Sequence, residues 1–282
     1  MSDIRVGIVT GGRLPIPQLV ERWQEAEALG FDTVWVTDHF ISGDEPTHSD
    51  PIQEAWTLIA GLAMMTKTIR FGVMVTGNTY RNPALLLKEA ITVDHLSNGR
   101  LEFGVGAGWW VREHDAYGYP MPGKGELVDR FKEALDIWDG MQTNARFDYH
   151  GKYYWVTDAP CEPKPIQEKL PLVIGASGPR MLRLVAKHAT TWNTRAPLEG
   201  AIERMRLLDE KCAEVGRDPK TINRSIWPMP HPFESVDNVK QVIASYREAG
   251  FNDFVFTWPP DEYEDVMRQF ARDVLPELRA ST

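Results

Sequence analysis

His39 directly follows Asp38 at the end of the short apolar run 33–37. An imidazole at the end of a buried strand can donate a hydrogen bond or move a proton near neutral pH; a purely structural histidine is the alternative. A second feature is the stretch VIGASGPR at 173–180, which reads as a strand, a turn of small residues (Gly175, Ala176, Ser177 and Gly178) and a helix opened by Pro179. Small residues let backbone N–H groups approach an anion, and the helix N-terminus adds a favourable dipole, so this turn could cradle a phosphate. Arg81, between Tyr80 and Asn82, could reach a ligand or form a structural salt bridge. Glu113 and His114 stand in an aromatic stretch with Trp109, Trp110, Tyr117 and Tyr119.

Other chemistries lack their residues. A metal-dependent hydrolase needs several His, Asp or Glu ligands converging on one rim; at the strand ends only Asp38 and His39 qualify, and neither H-x-H nor H-E-x-x-H occurs. No metal is therefore expected. Ser177 lies in a glycine-rich turn and Cys161 and Cys212 lie away from strand ends, so no partnered nucleophile is evident, and no lysine closes a strand as a Schiff-base former would. What remains is a set of glycines, aromatics, one histidine and one arginine, which suits holding a flat cofactor.

The elements that must position these residues alternate from end to end. Short β-branched apolar runs at 5–9, 33–37, 69–75, 101–105, 172–175, 191–193, 223–227 and 253–256 read as strands. Helix-period segments at 16–29, 51–65, 83–97, 125–143, 179–188, 198–215, 235–249 and 261–274 follow them. Gly30 and Gly250 stand where helices stop, and Pro51, Pro83 and Pro179 where helices start. Eight strand–helix pairs in 282 residues match a single (β/α)8 TIM barrel spanning 1–282, with a doubly wound open sheet as runner-up. No G-x-G-x-x-G follows the first strand, which argues against the open sheet. Long connections follow the fourth strand (106–123) and precede the fifth (145–171), the second reading as a hairpin over 147–156; such loops tend to be active-site walls or lids, with mere packing over a helix the alternative for the hairpin. In such a barrel the reactive groups come from the C-terminal strand ends, although a phosphate usually sits after strands seven and eight rather than five.

Composition narrows the partners. Lys plus Arg number 31 against 40 Asp plus Glu, a formal charge of -9, which argues against nucleic acid and anionic membrane surfaces. The longest low-polarity stretch, 58–65, is far shorter than a bilayer span, and no basic segment precedes the short apolar run at 6–9. Two cysteines suit a reducing compartment, so a cytoplasmic location is expected. Trp23, Trp56 and Trp138 lie on helix stripes and read as core.

With these residues assembled, the chain resembles the luciferase-like monooxygenase superfamily, and most closely its coenzyme F420 (deazaflavin)-dependent oxidoreductases. The motifs that carry the resemblance are GFDTVWVTDHF at 30–40, VTGNTYRNP at 75–83, DHLSNGRLEFGVGAGW at 94–109, IGASG at 174–178 and WN at 192–193. The resemblance implies a flavin-type ring across the barrel mouth, contacted by Asp38, Met74, Val75, Thr76, Gly106, Ala107, Gly108 and Asn193, with the phosphate tail near Gly175, Ala176, Ser177 and Gly178. It also implies a non-proline cis peptide at Met74-Val75 or one bond later, and His39 as the catalytic or substrate-orienting group. Trp109, Trp110, Glu113 and Trp258 are then candidates for the substrate pocket. Sugar-phosphate dehydrogenases of the branch carry an acidic residue about where Trp109 stands, which argues against that substrate class. The implied reaction is hydride transfer between F420 and a small organic substrate. FMN-dependent monooxygenation and cofactor binding without turnover are the alternatives, and a homodimer is implied because the family commonly forms one.

Overall fold

The computed structural model describes residues 4–43 and 51–280. The chain runs β1 (Arg5–Val9), α1 (Ile16–Ala28), β2 (Thr33–Val36), α2 (Ala55–Met65), β3 (Arg70–Val73), β4 (Thr76–Gly77), α3 (Pro83–Leu96) and β5 (Leu101–Gly106). It continues with α4 (Val111–Tyr117), α5 (Lys124–Thr143), β6 (Arg146–His150), β7 (Trp155–Pro160), β8 (Leu172–Gly175), α6 (Pro179–His188), β9 (Thr191–Thr194) and α7 (Leu198–Val215). The last elements are β10 (Asn223–Ile226), α8 (Val236–Glu248), β11 (Asp253–Thr257), α9 (Glu264–Asp273) and α10 (Leu275–Ala280).

One nine-stranded sheet closes on itself because β3 pairs with both β2 and β5, and β1 with both β2 and β11. All its pairings are parallel, and β3 and β4 are two pieces of one interrupted stave. The result is the eight-staved TIM barrel, with helices burying their apolar stripes against it. Trp23, Trp56 and Trp138 all lie in that strand–helix layer.

Four local expectations are corrected. The third strand does not run unbroken through 69–75; it stops at Val73, and the Met74-Val75 peptide is cis, the first of the two anticipated positions. Helix α2 starts at Ala55 and not Pro51, because the Glu54 carboxylate accepts from the N–H groups of Trp56 and Thr57 and caps it there. The segment 261–274 is a 3-10 turn followed by α9, with a further helix, α10, beyond it. The connection after the fourth stave contains the short helix α4, which has too few residues for an apolar stripe to announce it.

The connection before the fifth stave is the antiparallel hairpin β6–β7. It packs over α5, and its Tyr154 hydroxyl also accepts from Asn78 Nδ2 at 3.4 Å. A Cβ on Gly140 of α5 would run into the Phe147 ring, and the buried Glu133 carboxylate accepts from Lys152, Tyr153 and Tyr154 N–H at 2.7, 2.9 and 3.0 Å.

The barrel interior is filled by Val9, Trp35, Met74, Val173 and Val255, with Val75 and Trp227 packed against them. Room for Trp35 is made by glycines on alternate staves. A Cβ on Gly72 would lie 2.7 Å from its ring, and one on Gly7 would lie 3.1 Å from its Nε1. The indole N–H donates to Thr33 Oγ1 at 2.9 Å, so the buried polar atom is satisfied.

At the N-terminal end of the barrel, Arg5 pairs with Glu102 and lies 3.8 Å from Asp253, and Arg70 pairs with Glu102 at 2.9 Å. Glu102 Oε2 and Asp253 Oδ1 are buried without a hydrogen-bond partner. Burial, with Glu102 and Asp32 nearby, pushes the Asp253 carboxyl up to about 7 against the pull of Arg5. A folded-state value above the unfolded one means that Asp253 favours folding most when protonated, and this contribution is lost as pH rises from about 4 through about 7. Asp253→Asn is therefore expected to be more stable than the wild type at pH ~8, by on the order of 2 kcal/mol, with the advantage vanishing toward pH ~4. Urea unfolding of both proteins across that range tests this; an unchanged difference at both ends would refute the assignment.

Candidate active site

The C-terminal stave ends bring together residues far apart in sequence. At the end of β2 the Asp38 carboxylate is buried and fully engaged. Its Oδ2 accepts from Gly77 N–H at 3.0 Å and Arg81 Nη1 at 2.8 Å, and Oδ1 accepts from Arg81 Nη2 at 3.0 Å. Arg81 also pairs with Glu54, so the structural salt bridge is the reading of Arg81 that the structure supports. The bidentate geometry ties the loop after β4 to the end of β2 and fixes the backbone from which His39 projects.

His39 is half-buried, with Nδ1 3.1 Å from Glu113 Oε2. Its ring meets Trp109 and Trp110 edge-on, at centroid distances of 5.9 and 5.0 Å and angles of 85° and 87°. The two indoles stack on each other at 5.6 Å and 12°, and Trp109 is 68% exposed. They form an uncharged aromatic shelf beside the imidazole.

Glu113, expected to line the substrate pocket, is instead completely buried behind His39. Helix α4 places it and His114 on its inward face. Oε1 accepts from the N–H groups of Phe40 and Ile41, and Oε2 from Tyr80 O–H at 2.5 Å. Burial pushes this carboxyl up, but the hydrogen bonds from His39, Tyr80 and Phe40 N–H outweigh it and hold Glu113 below the usual carboxylate range. The Tyr80 phenol, buried beside that carboxylate, is pushed upward and stays protonated. His114 has both ring nitrogens engaged, by Trp110 C=O and Thr79 Oγ1, each at 2.7 Å. Tyr80 and Thr79 escaped the sequence reading; the proximity of Tyr80 to Arg81 in the chain was the one signal that could have raised it.

The floor of the mouth is built from small residues around Val75. A Cβ on Gly106 or Gly175 would come within 2.8 and 2.9 Å of Val75 Cγ2, so the two glycines leave that half-buried side chain its place between them. Ala107, Gly108, Gly175, Ala176 and Gly178 are also half-buried, and Ser177 is exposed. Gly178 opens α6 without a side-chain cap and has open space where a Cβ would be. A flat ring over Val75 with an anionic tail toward the α6 N-terminus fits these residues.

Other expected contacts face elsewhere. Met74 points into the barrel interior, and Thr76 Oγ1 accepts from Trp56 Nε1 at 3.2 Å on the helix side. Asn193 donates from Nδ2 to Ser225 Oγ at 2.9 Å, and its carbonyl accepts from Ala176 N–H at 3.1 Å, which steadies the small-residue turn. Trp258 is buried in the strand–helix layer, donating to Glu264 at 2.7 Å beneath the Arg22 guanidinium, and lies outside the His39 group. Among the described residues no group of three or more His, Cys, Asp or Glu could hold a metal ion.

The model of the luciferase-like monooxygenase family matches residues 1–272, and the chain belongs to that family. It is similar to an F420-dependent glucose-6-phosphate dehydrogenase of Amycolatopsis mediterranei (strain U-32), with 28% identity over 321 aligned positions that cover 93% of this chain and 94% of the relative. Among solved structures, an F420-dependent secondary alcohol dehydrogenase in complex with an F420-acetone adduct superposes with a TM-score of 0.83 at 20% identity, covering 98% of both chains. The coenzyme F420-dependent tetrahydromethanopterin reductase of Methanopyrus kandleri gives a TM-score of 0.83 at 18% identity, covering 98% of this chain and all of that one.

Proposed function

We propose that this protein is a coenzyme F420-dependent oxidoreductase acting on a small, uncharged organic alcohol or carbonyl compound. The observation that carries the reading is the placement of His39 at a stave end, held through Nδ1 by a buried carboxylate and edge-on to a tryptophan shelf. The bound deazaflavin supplies a ring carbon that accepts or donates hydride. Val75, between Gly106 and Gly175, backs the ring, and the turn Gly175, Ala176, Ser177 and Gly178 with the α6 N-terminus receives the anionic tail. His39 takes or returns the substrate's hydroxyl proton through the ring nitrogen that Glu113 does not engage. Trp109 and Trp110 exclude water and favour an apolar substrate body over a sugar phosphate, even though relatives bear the glucose-6-phosphate name.

The proposal extends to a homodimer in the cytoplasm. Helix α2 carries no charged residue, Met64 and Met65 are exposed on it, and a groove of about 320 Å³ lined by Ile16, Val20, Leu58, Leu62 and Met65 runs beside it, which supports a second copy as its cover. Both cysteines are buried and free, as a reducing compartment allows. Among the described residues no helix is long and apolar enough to cross a membrane.

Titrating the cofactor-free protein with oxidised F420 and, separately, with FMN, followed by ligand fluorescence, tests the cofactor. Tighter binding of F420 is expected. Preference for FMN would replace the reading with an FMN-dependent monooxygenase, and binding of neither would overturn the cofactor site. Binding of F420 without turnover of any alcohol or carbonyl compound would make the protein a cofactor carrier.

A further inference from the structure

We infer that Glu113 is a positioning residue that fixes the proton of neutral His39 on Nδ1 and so leaves Nε2 as the proton acceptor facing the substrate. The inference rests on reading His39 as the proton-transfer group. Its physical basis lies in which atoms surround the carboxylate. Glu113 is fully buried, and among the described residues three donors reach it, Phe40 N–H and Ile41 N–H on Oε1 and Tyr80 O–H on Oε2, with His39 Nδ1 3.1 Å from Oε2. An ionised carboxylate has no proton to give, so the bond at 3.1 Å requires a hydrogen on Nδ1. The hydrogen bonds from His39, Tyr80 and Phe40 N–H hold the carboxyl below the usual carboxylate range despite its burial, which keeps it ionised.

The charged and titratable groups around the pair reinforce the arrangement. Tyr80 remains a phenol and cannot take its proton from the imidazole side. Asp38 on the β2 end is neutralised by Arg81, and Arg81 by Asp38 and Glu54. On α4, Arg112 donates to Gly43 C=O and His114 is held by Trp110 and Thr79. Tyr117 donates to Phe40 C=O at 3.3 Å, and Tyr119 stacks against Phe40. None of these groups offers Nδ1 a competing contact. With Nδ1–H committed, the proton of a substrate hydroxyl has one basic ring atom to go to, and the positive imidazolium that results is stabilised by the carboxylate behind it. With a bound oxidised deazaflavin to take the hydride, oxidation of an alcohol would send the hydroxyl proton to His39 Nε2, and reduction of a carbonyl would return that proton from His39 as the reduced cofactor gave the hydride back.

The substitution Glu113→Gln inverts the pattern. Its oxygen must stay with Phe40 and Ile41 N–H, which places the amide N–H2 opposite His39 Nδ1; the amide donates, and the imidazole proton moves to Nε2. The test is the 15N spectrum of the imidazole in cofactor-free protein, recorded above the ordinary imidazole titration range. Wild type is expected to show a protonated Nδ1 and an unprotonated Nε2, and Glu113→Gln the reverse. Glu113→Gln should also lower kcat by about 10²-fold or more with little change in KM, because Glu113 does not reach the substrate. Tyr80→Phe, which keeps the carboxylate, should retain the wild-type tautomer. A wild-type spectrum with the proton on Nε2 overturns the inference even if the variant fails to fold, as does a Glu113→Gln protein with the wild-type tautomer. The spectrum needs neither substrate nor cofactor, so it fails or succeeds separately from the activity of His39→Ala, which tests the reading beneath it.

Discussion

Replacing His39 by alanine is expected to lower kcat/KM for F420 reduction about 10²–10⁴-fold, the contribution of a positioned general base. The loss should fall on kcat, because the imidazole acts on a proton that moves only as the substrate reacts. F420 affinity should stay near the wild-type value, since the small-residue floor, the α6 N-terminus and Val75 are untouched by the change. Truncation leaves the Asp38–Arg81 bridge intact, so the loop after β4 keeps its place. Steady-state kinetics on the neutral alcohol that the wild type turns over fastest, paired with fluorescence titration of F420, separates the two effects. An alanine variant that kept kcat/KM within a few fold would remove His39 from the chemistry and leave the tryptophan shelf and ring placement as the whole of the catalytic apparatus. A variant that lost activity only through weaker F420 binding would make His39 a cofactor contact.

Most staves are readable in the sequence because they are buried on both sides, and a doubly buried strand leaves a short apolar run that no surface helix reproduces; β9 (TWNT) and β10 (NRSI) carry the weakest such signal. The helix stops at Gly30 and Gly250 were equally local, and both residues adopt positive φ, 80° and 101°. Helix α2 starts four residues after Pro51 because a first-turn proline and a capping carboxylate are rival start signals, and here Glu54 prevails. Helix α4 gave no signal since the two residues it buries, Glu113 and His114, are polar.

The site was readable as a rim and not as a constellation. Location at a stave end follows from the chain, so His39, Gly106, Gly175 and the turn after it could be chosen residue by residue. Which side chains face one another depends on barrel closure, and the decisive pairs join residues 74 apart, for His39 and Glu113, and 43 apart, for Asp38 and Arg81. Trp258 shows the opposite limit: it follows a stave end, yet its side chain turns outward to Glu264 and Arg22, an orientation that position along the chain does not encode.

Trp35→Ala is expected to destabilise the fold by about 3–5 kcal/mol, the range for emptying a large aromatic site in a close-packed core. The expectation is at the upper end because the surroundings cannot collapse into the gap. The positions beside the indole are glycines, Gly72 and Gly7 on the two staves that flank β2 and Gly104 on the stave after β3, with no side chain to swing inward. Nor can a compensating residue be introduced there. A Cβ on Gly104 would strike the Val73 carbonyl oxygen, one on Gly72 the Glu102 carbonyl oxygen, and one on Gly7 the Thr33 hydroxyl. Within the barrel interior, Trp35 is thus matched to three glycines, and neither half of the match can be altered alone. The loss should reach the site as well: Met74 belongs to the same buried set as Trp35, and Val75 packs against that set from above, so the floor beneath the ring loses its support. Urea unfolding of Trp35→Ala, with F420 titration of the fraction that remains folded, measures both effects. A destabilisation under about 1 kcal/mol would mean that the interior repacks freely, against the close packing expected of a filled barrel. Full stability loss with unchanged F420 affinity would show that Val75 is held by Gly106 and Gly175 alone, without help from the layer below.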